Sequence, residues 1–193
     1  MARLMTASPA ELALLAAFLV TFMHFMMMGA QTFRWSDGDE LAAGAAQLSF
    51  VVTGAIASMY LARDYVIDTV NGIGAAALLM AALALYEWAR RTVRGRGFHI
   101  AWSGDVPGEL CAAGPYRVIR HPFYLSYMLT FLALLIALPR WPAVAIFLFN
   151  VALFTHAALN DERSIAASPL ADGYVGYKRQ AGMFLPRFRR SRG

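Results

Sequence analysis

The chain has 193 residues, 59% of them hydrophobic and 15% charged, with a formal net charge of +5. The apolar share is well above that of an ordinary water-soluble domain, and long apolar runs point to a polytopic all-α membrane protein. A single cysteine, Cys111, excludes an internal disulfide and any multi-cysteine metal site, and no metal is expected. The cations cluster beside apolar runs, so they are read as orientation signals and anionic-lipid contacts, with no nucleic-acid partner.

The first apolar segment runs from about Ala10 to Phe33. Ser8-Pro9 before it marks a helix start, because serine caps and proline fits the first turn. No small-residue cleavage site follows, so the run reads as a retained membrane helix and not a signal peptide. His24 stands inside it, beside Met26, Met27 and Met28. An ionisable group at that depth hints at function; the plainer reading is a neutral histidine bonded to a neighbouring helix. The methionines read as flexible packing or a lipid-chain surface.

The second and third segments span about Leu41 to Ala62 and Thr69 to Ala89. Each is long enough to cross a bilayer core, and their glycines and alanines permit close helix contact. Glu87 is placed to pair with Arg90 or Arg91 at the end of the third. The fourth, Phe123 to Leu138, is short, and the fifth runs from Ala143 to about Leu159. Only the turn Pro139 to Pro142 separates them, so they are expected to form a tight antiparallel hairpin. The tail from Asn160 onward is too polar to span and reads as one or two interfacial helices, broken near Ser168-Pro169.

The expected plan is one domain over residues 1–193: three spans in 1–89, a cytoplasmic connection in 90–122, the hairpin in 123–159 and a covering tail in 160–193. With five spans, the arginines of the connection and the cations of the tail lie on one side, which the positive-inside rule makes cytoplasmic. The N-terminus is then outside. The compact chain suggests a prokaryotic inner membrane.

Three clusters can carry chemistry. In "GPYRVIRHPFY", Pro122 fits the first turn of a helix and His121 sits at its boundary. The free N–H groups of that helix start, with Arg117, Arg120 and His121 beside them, suit an anion. Tyr116 and Tyr124 add hydroxyls and flat apolar faces. The alternative is headgroup contact by the arginines and an interfacial belt of tyrosines. The second cluster is "NDERS" at the end of the fifth segment, which the hairpin returns to the level of His121, bringing Glu162 and Arg163 near it. His156 and Asn160 share a helix face there. The third is "YVGYKRQAGMFLPRF", where Tyr174 and Tyr177, three apart, share one face of a helix.

Together and in this order, these motifs resemble the isoprenylcysteine carboxyl methyltransferase family, relatives of the phospholipid N-methyltransferases. The resemblance rests on Gly114-Pro115-Tyr116-Arg117, Arg120-His121-Pro122 with Tyr124, Glu162-Arg163, Tyr174 with Tyr177, and Pro186, over roughly the C-terminal 80 residues. It implies an enzyme that uses S-adenosyl-L-methionine at the cytoplasmic face, with a lipophilic or lipid-modified acceptor entering from the bilayer. His121, Pro122 and Tyr124 are then expected to line the cofactor pocket, with Tyr116 and Arg120 in support. Glu162 and Arg163 close it, and Tyr174 and Tyr177 belong to the covering segment; Glu162, Arg163 and His121 are the candidate catalytic residues. Two departures are Ser126, where the family often has glycine, and Ser168-Pro169-Leu170, where many members have a continuous helix.

Methyl transfer mainly needs alignment and exclusion of water. Glu162 could help hold a sulfonium or could orient Arg163. A carboxylate acceptor needs no base, whereas an amine must lose a proton, so a carboxylate or thiolate is favoured. Two other readings are an NADPH-dependent enzyme like the sterol reductases, and a non-catalytic membrane scaffold or lipid-binding protein.

Overall fold

The computed structural model describes residues 8–32, 48–49, 51–53, 55, 59, 66–94 and 110–187, the side chains of 29–32 excepted. Among these residues the chain is all helical, with no strand. The elements are α1 (Pro9–Thr32), α2 (Thr69–Val93), a 3₁₀ turn (Gly114–Arg117), α3 (Pro122–Ala137), α4 (Trp141–Ala166) and α5 (Ala171–Gln180). Pro9–Met28 of α1, α2 and α4 are long and apolar enough to cross a membrane; α3 is apolar but shorter. The second expected segment lies largely outside the described residues, and its described positions between 48 and 59 are helical.

Local chemistry sets the helix ends. Ser8 Oγ accepts from Glu11 N (3.2 Å), while Glu11 Oε2 accepts from Ser8 N (2.8 Å). This reciprocal capping box, with Pro9 after the cap, starts α1 as expected. Asp68 caps α2 by accepting from Val70 N (3.0 Å) and Asn71 N (3.2 Å). Pro122 and Pro142 occupy the first turns of α3 and α4. α4 continues to Ala166, past the expected end at Leu159, because "NDERSIA" can keep its polar side chains at the helix end without breaking helical hydrogen bonding. The chain turns at residues 167–170, and Tyr174 and Tyr177 both fall on α5.

Contacts at both ends fix the helix directions. Glu11 Oε1 accepts from Ile67 N (3.0 Å), and His24 Nε2 lies 2.7 Å from Glu87 Oε1. Starts meet and ends meet, so α1 and α2 are parallel. Gly74 of α2 faces Ile136 near the end of α3, while Tyr86 stacks edge-on against Phe123 at the start of α3 (5.1 Å), so these two are antiparallel. Glu162 near the end of α4 meets Arg120 just before α3 (2.8 Å).

The core divides along the helices. Leu14, Leu79, Leu134, Leu138 and Ile146 pack near one end, and Phe25, Tyr86, Phe123, Phe131 and Phe154 towards the other. The second end carries Arg90, Arg91, Arg94, Arg117, Arg120, Lys178 and Arg179. Between them, Ser49 Oγ donates to Asn150 Oδ1 (2.8 Å), and Asn150 Nδ2 donates to Ile146 O (2.8 Å). Asn150 is fully buried. Polar side chains so placed tie helices together where no water competes. Asn150→Leu is expected to weaken this tie, with a loss of about 1 kcal/mol, read as a lower Tm in detergent; an unchanged Tm contradicts the role.

Candidate functional site

The site is built from three stretches distant in sequence. Gly114 opens the first with φ of +53°, in the left-handed region that suits glycine. A Cβ there would strike the Thr92 side chain. The turn buries Tyr116 and leaves Arg117 exposed. Residues 118–121 then pair with the C-terminal stretch through main-chain bonds. Gly182 N donates to Val118 O (3.0 Å), Arg120 N to Gly182 O (2.8 Å), and His121 N to Met183 O (3.2 Å). Gly182 permits the strap because a Cβ there would collide with the Leu185 carbonyl oxygen. Tyr177 OH adds a bond to Tyr116 O (2.8 Å).

At the centre is Glu162, whose side chain is 5% exposed. Its Oε1 accepts from Arg120 Nε (2.8 Å) and Nη2 (2.8 Å), and its Oε2 lies 2.6 Å from Lys178 Nζ. Arg120 Nη1 also donates to Ala181 O. One carboxylate thus joins α4, the stretch before α3, and α5. His121 Nε2 is 3.4 Å from the same Oε1. Burial is the largest influence on His121 and lowers its pKa from the usual 6.5, against the opposing pull of Glu162. The ring is therefore neutral at pH 7.

His121 stacks on Tyr124 (5.6 Å between centroids, 14° between planes), and Tyr124 stacks on Phe154 (5.6 Å, 24°). Phe184 of the strap lies 6.1 Å from the His121 ring. Tyr124 OH donates to Asp161 Oδ2 (3.2 Å), which is 3.9 Å from His121 Nδ1. Tyr174 is buried with its hydroxyl beside Glu162 and Arg120, without a hydrogen bond of standard geometry. Lys178 Nζ sits 5.7 Å from the centre of the Tyr174 ring. Burial raises the pKa of Tyr116, Tyr174 and Tyr177, so all three remain protonated.

Of the residues expected here, Tyr116, Arg120, His121, Pro122, Tyr124, Glu162, Tyr174 and Tyr177 come together. Arg163 does not: it is exposed and donates to Asn160 Oδ1 (2.8 Å). Arg117 is also turned outward. Arg120 was expected as part of an anion seat; its guanidinium is engaged by Glu162 and Ala181 O. Asp161, Lys178, Phe154 and Phe184 were not anticipated. Lys178 had a signal, standing four after Tyr174 on one helix face, and Asp161 stood next to Glu162. The pairing at Gly182 had none. Outside the site, His24 finds its bond to a neighbouring helix in Glu87, which also accepts from Arg90 Nε (2.9 Å) and Nη2 (2.8 Å).

Comparison with protein-family models, with curated proteins and with solved structures finds no match to this chain.

The two ion pairs differ in environment. Removing Arg120 leaves a buried carboxylate with only a half-exposed lysine, at a cost of about 3 kcal/mol or more. Lys178 is 46% exposed, and its loss costs about 1 kcal/mol at most. Arg120→Met is thus expected to lower Tm far more than Lys178→Met; equal effects contradict the assignment. A pH dependence follows from His121. Its folded pKa lies below its unfolded value, so the unfolded chain binds a proton that the native state resists. The stability is fully present above about pH 6.5 and is lost as pH falls through the lowered folded value. Unfolding measured from pH 8 to 5 is expected to show this decline, reduced in His121→Gln; an equal decline in both proteins contradicts the role.

Proposed function

We propose that the chain is an integral membrane methyltransferase of five spans. It uses S-adenosyl-L-methionine at the end where its cations gather, the cytoplasmic face of a prokaryotic inner membrane. The observation that supports this most is the meeting of His121 and Tyr124 with Glu162 and Asp161, more than 35 positions later in sequence, beneath the α5 tyrosines. Support for five spans comes from the parallel course of α1 and α2 and from the helical described positions between 48 and 59. The antiparallel α3 and α4 serve as the closing hairpin. The sidedness, N-terminus outside, rests on the positive-inside rule.

The donor set suits the cofactor in most respects. The His121–Tyr124–Phe154 stack offers a flat face for adenine, and Asp161 offers acceptors for ribose hydroxyls or the ammonium group. Neutral His121 puts no positive charge against a sulfonium. Arg120 does not suit the role of carboxylate seat, because its fork is already engaged. It and Glu162 act as positioning residues that hold His121 and the strap in register. When bound, S-adenosylmethionine supplies an electrophilic methyl group on a cationic sulfur. Met183 and Phe184 of the strap exclude water from that region, and α3 and α4 present a lipophilic acceptor from the bilayer. A carboxylate or thiolate acceptor attacks without a base; an amine would give its proton to the neutral ring of His121.

A non-catalytic scaffold is the second reading. It is favoured by one observation: Glu162 has both oxygens engaged, as in a structural clasp.

Calorimetric titration with S-adenosylhomocysteine, with NADPH as control, separates these readings. Saturable binding of the former alone is expected, weakened about tenfold or more in Asp161→Asn through loss of a charged hydrogen-bond acceptor. Binding of NADPH alone, or of neither ligand to protein shown to be folded, overturns the proposal.

A further inference from the structure

A second polar cluster lies on the other side of the aromatic core. Glu87 of α2 is gripped in bidentate fashion by Arg90, and its Oε1 also meets His24 Nε2 of α1 at 2.7 Å. Glu87 stands six residues before the end of α2, about 9 Å along the helix axis. The cluster therefore lies at the boundary between the apolar part of α2 and the charged rim, whose Arg90 and Arg91 reach into it. Ionisable groups are costly there and mark sites by default.

The Glu87 charge is answered without the histidine. Arg90 answers Glu87 in a paired geometry, with Arg91 Nε 3.6 Å from the same carboxylate. An ionised carboxylate only accepts, so the His24 proton on Nε2 is the one donated to it. In the neutral ring the other nitrogen, Nδ1, carries a lone pair. His24 makes its one hydrogen bond to Glu87, and Nδ1 has no partner among the described residues. The side chain is 31% exposed, so that nitrogen is not sealed in the core. An acceptor left unanswered beside apolar surface is unfavourable.

Beyond Glu87, the outer surface beside the ring is apolar and open. Val20, Met23 and Met27 fall on the His24 face of α1 at helical spacing, and all three are exposed. Flexible methionines suit a chain that is not rigidly fixed. Tyr86 closes the inner side, meeting the imidazole edge-on at 5.7 Å.

We propose that His24 Nδ1 is the headgroup acceptor of a lipid-binding site. Its ligand is a neutral single-chain amphiphile with a hydroxyl head, its hydrocarbon lying along Val20, Met23 and Met27. A hydroxyl is favoured over an ammonium because it supplies the missing donor without a further charge at this depth. A phospholipid fits less well, since its own donors lie outside its phosphate and the His24 ring lies inside the rim. The site shares no residue with the Arg120–Glu162 cluster and does not rest on the methyl-transfer reading.

The test is native mass spectrometry of the full chain in detergent, titrated with oleyl alcohol or with oleyl methyl ether. The two probes share a chain, and only the first has a donor. The alcohol is expected to bind about tenfold more tightly, the worth of one hydrogen bond away from water. In His24→Phe, which keeps a ring against Tyr86, the two are expected to bind alike. Equal affinity of alcohol and ether for the unaltered chain overturns the proposal, as does a preference that survives in His24→Phe. If that variant does not fold, the comparison on the unaltered chain decides alone.

Discussion

A carboxylate withdrawn from water must have its charge answered, and Glu162 is answered from two directions. Arg120 reaches it from the stretch before α3 and Lys178 from α5. That requirement brings three parts of the chain to one end of the bundle. It also sets the positions of the neighbours. Arg120 holds Ala181 O, the strap pairs with residues 118–121, and His121 is covered by Phe184. The proposed chemistry depends on this order. A stacked aromatic surface beside Asp161 is useful to a ligand only if its rings hold still, and the buried pair keeps them there. A buried ion pair is weak evidence of net stability but strong evidence of fixed geometry once formed, since removing one partner strands the other.

The membrane imposes the second constraint. In hydrocarbon, helices gain little by hiding apolar side chains from one another, so association rests on close packing and on polar contacts. Such contacts occur at three levels here. Glu11 binds the start of α2, Asn150 meets Ser49 midway, and Glu87 joins His24 towards the charged end. The charged end gathers most of the described cations and both polar clusters, while the opposite end carries the short turn between α3 and α4, with Arg140. The proposed chemistry and most of the described positive charge therefore share a face, which underlies the proposed orientation.

The helices were legible because their signals are local. Ser8-Pro9, Pro122 and Pro142 mark helix starts through capping and the fixed φ of proline, and each does so in the structure. Apolar length identified α1, α2 and α4 as helices able to cross a membrane. The end of α4 was less legible, since a polar stretch can continue a helix as readily as end it. In the site, the spacing of Tyr174 and Tyr177 and the placing of Glu162 near His121 could be reasoned from helix geometry. The fate of Arg163 could not. Glu162 and Arg163 are adjacent, so a helix turns them about 100° apart, and only tertiary contacts decide which faces inward. The strap at Gly182 was hidden for a related reason: main-chain pairing between distant segments leaves little trace in side-chain types. Arg120 was read as an anion site without its partner in view, and that partner comes from this chain.

The most direct measurement is methyl transfer itself. Membranes containing the protein would be incubated with S-adenosylmethionine labelled with tritium on the methyl group, then extracted with organic solvent. Tritium is expected in the lipophilic fraction with the unaltered chain and only at background with His121→Ala. Label at background in both, with the unaltered protein folded and abundant in the membrane, would contradict a methyltransferase acting on a lipophilic acceptor.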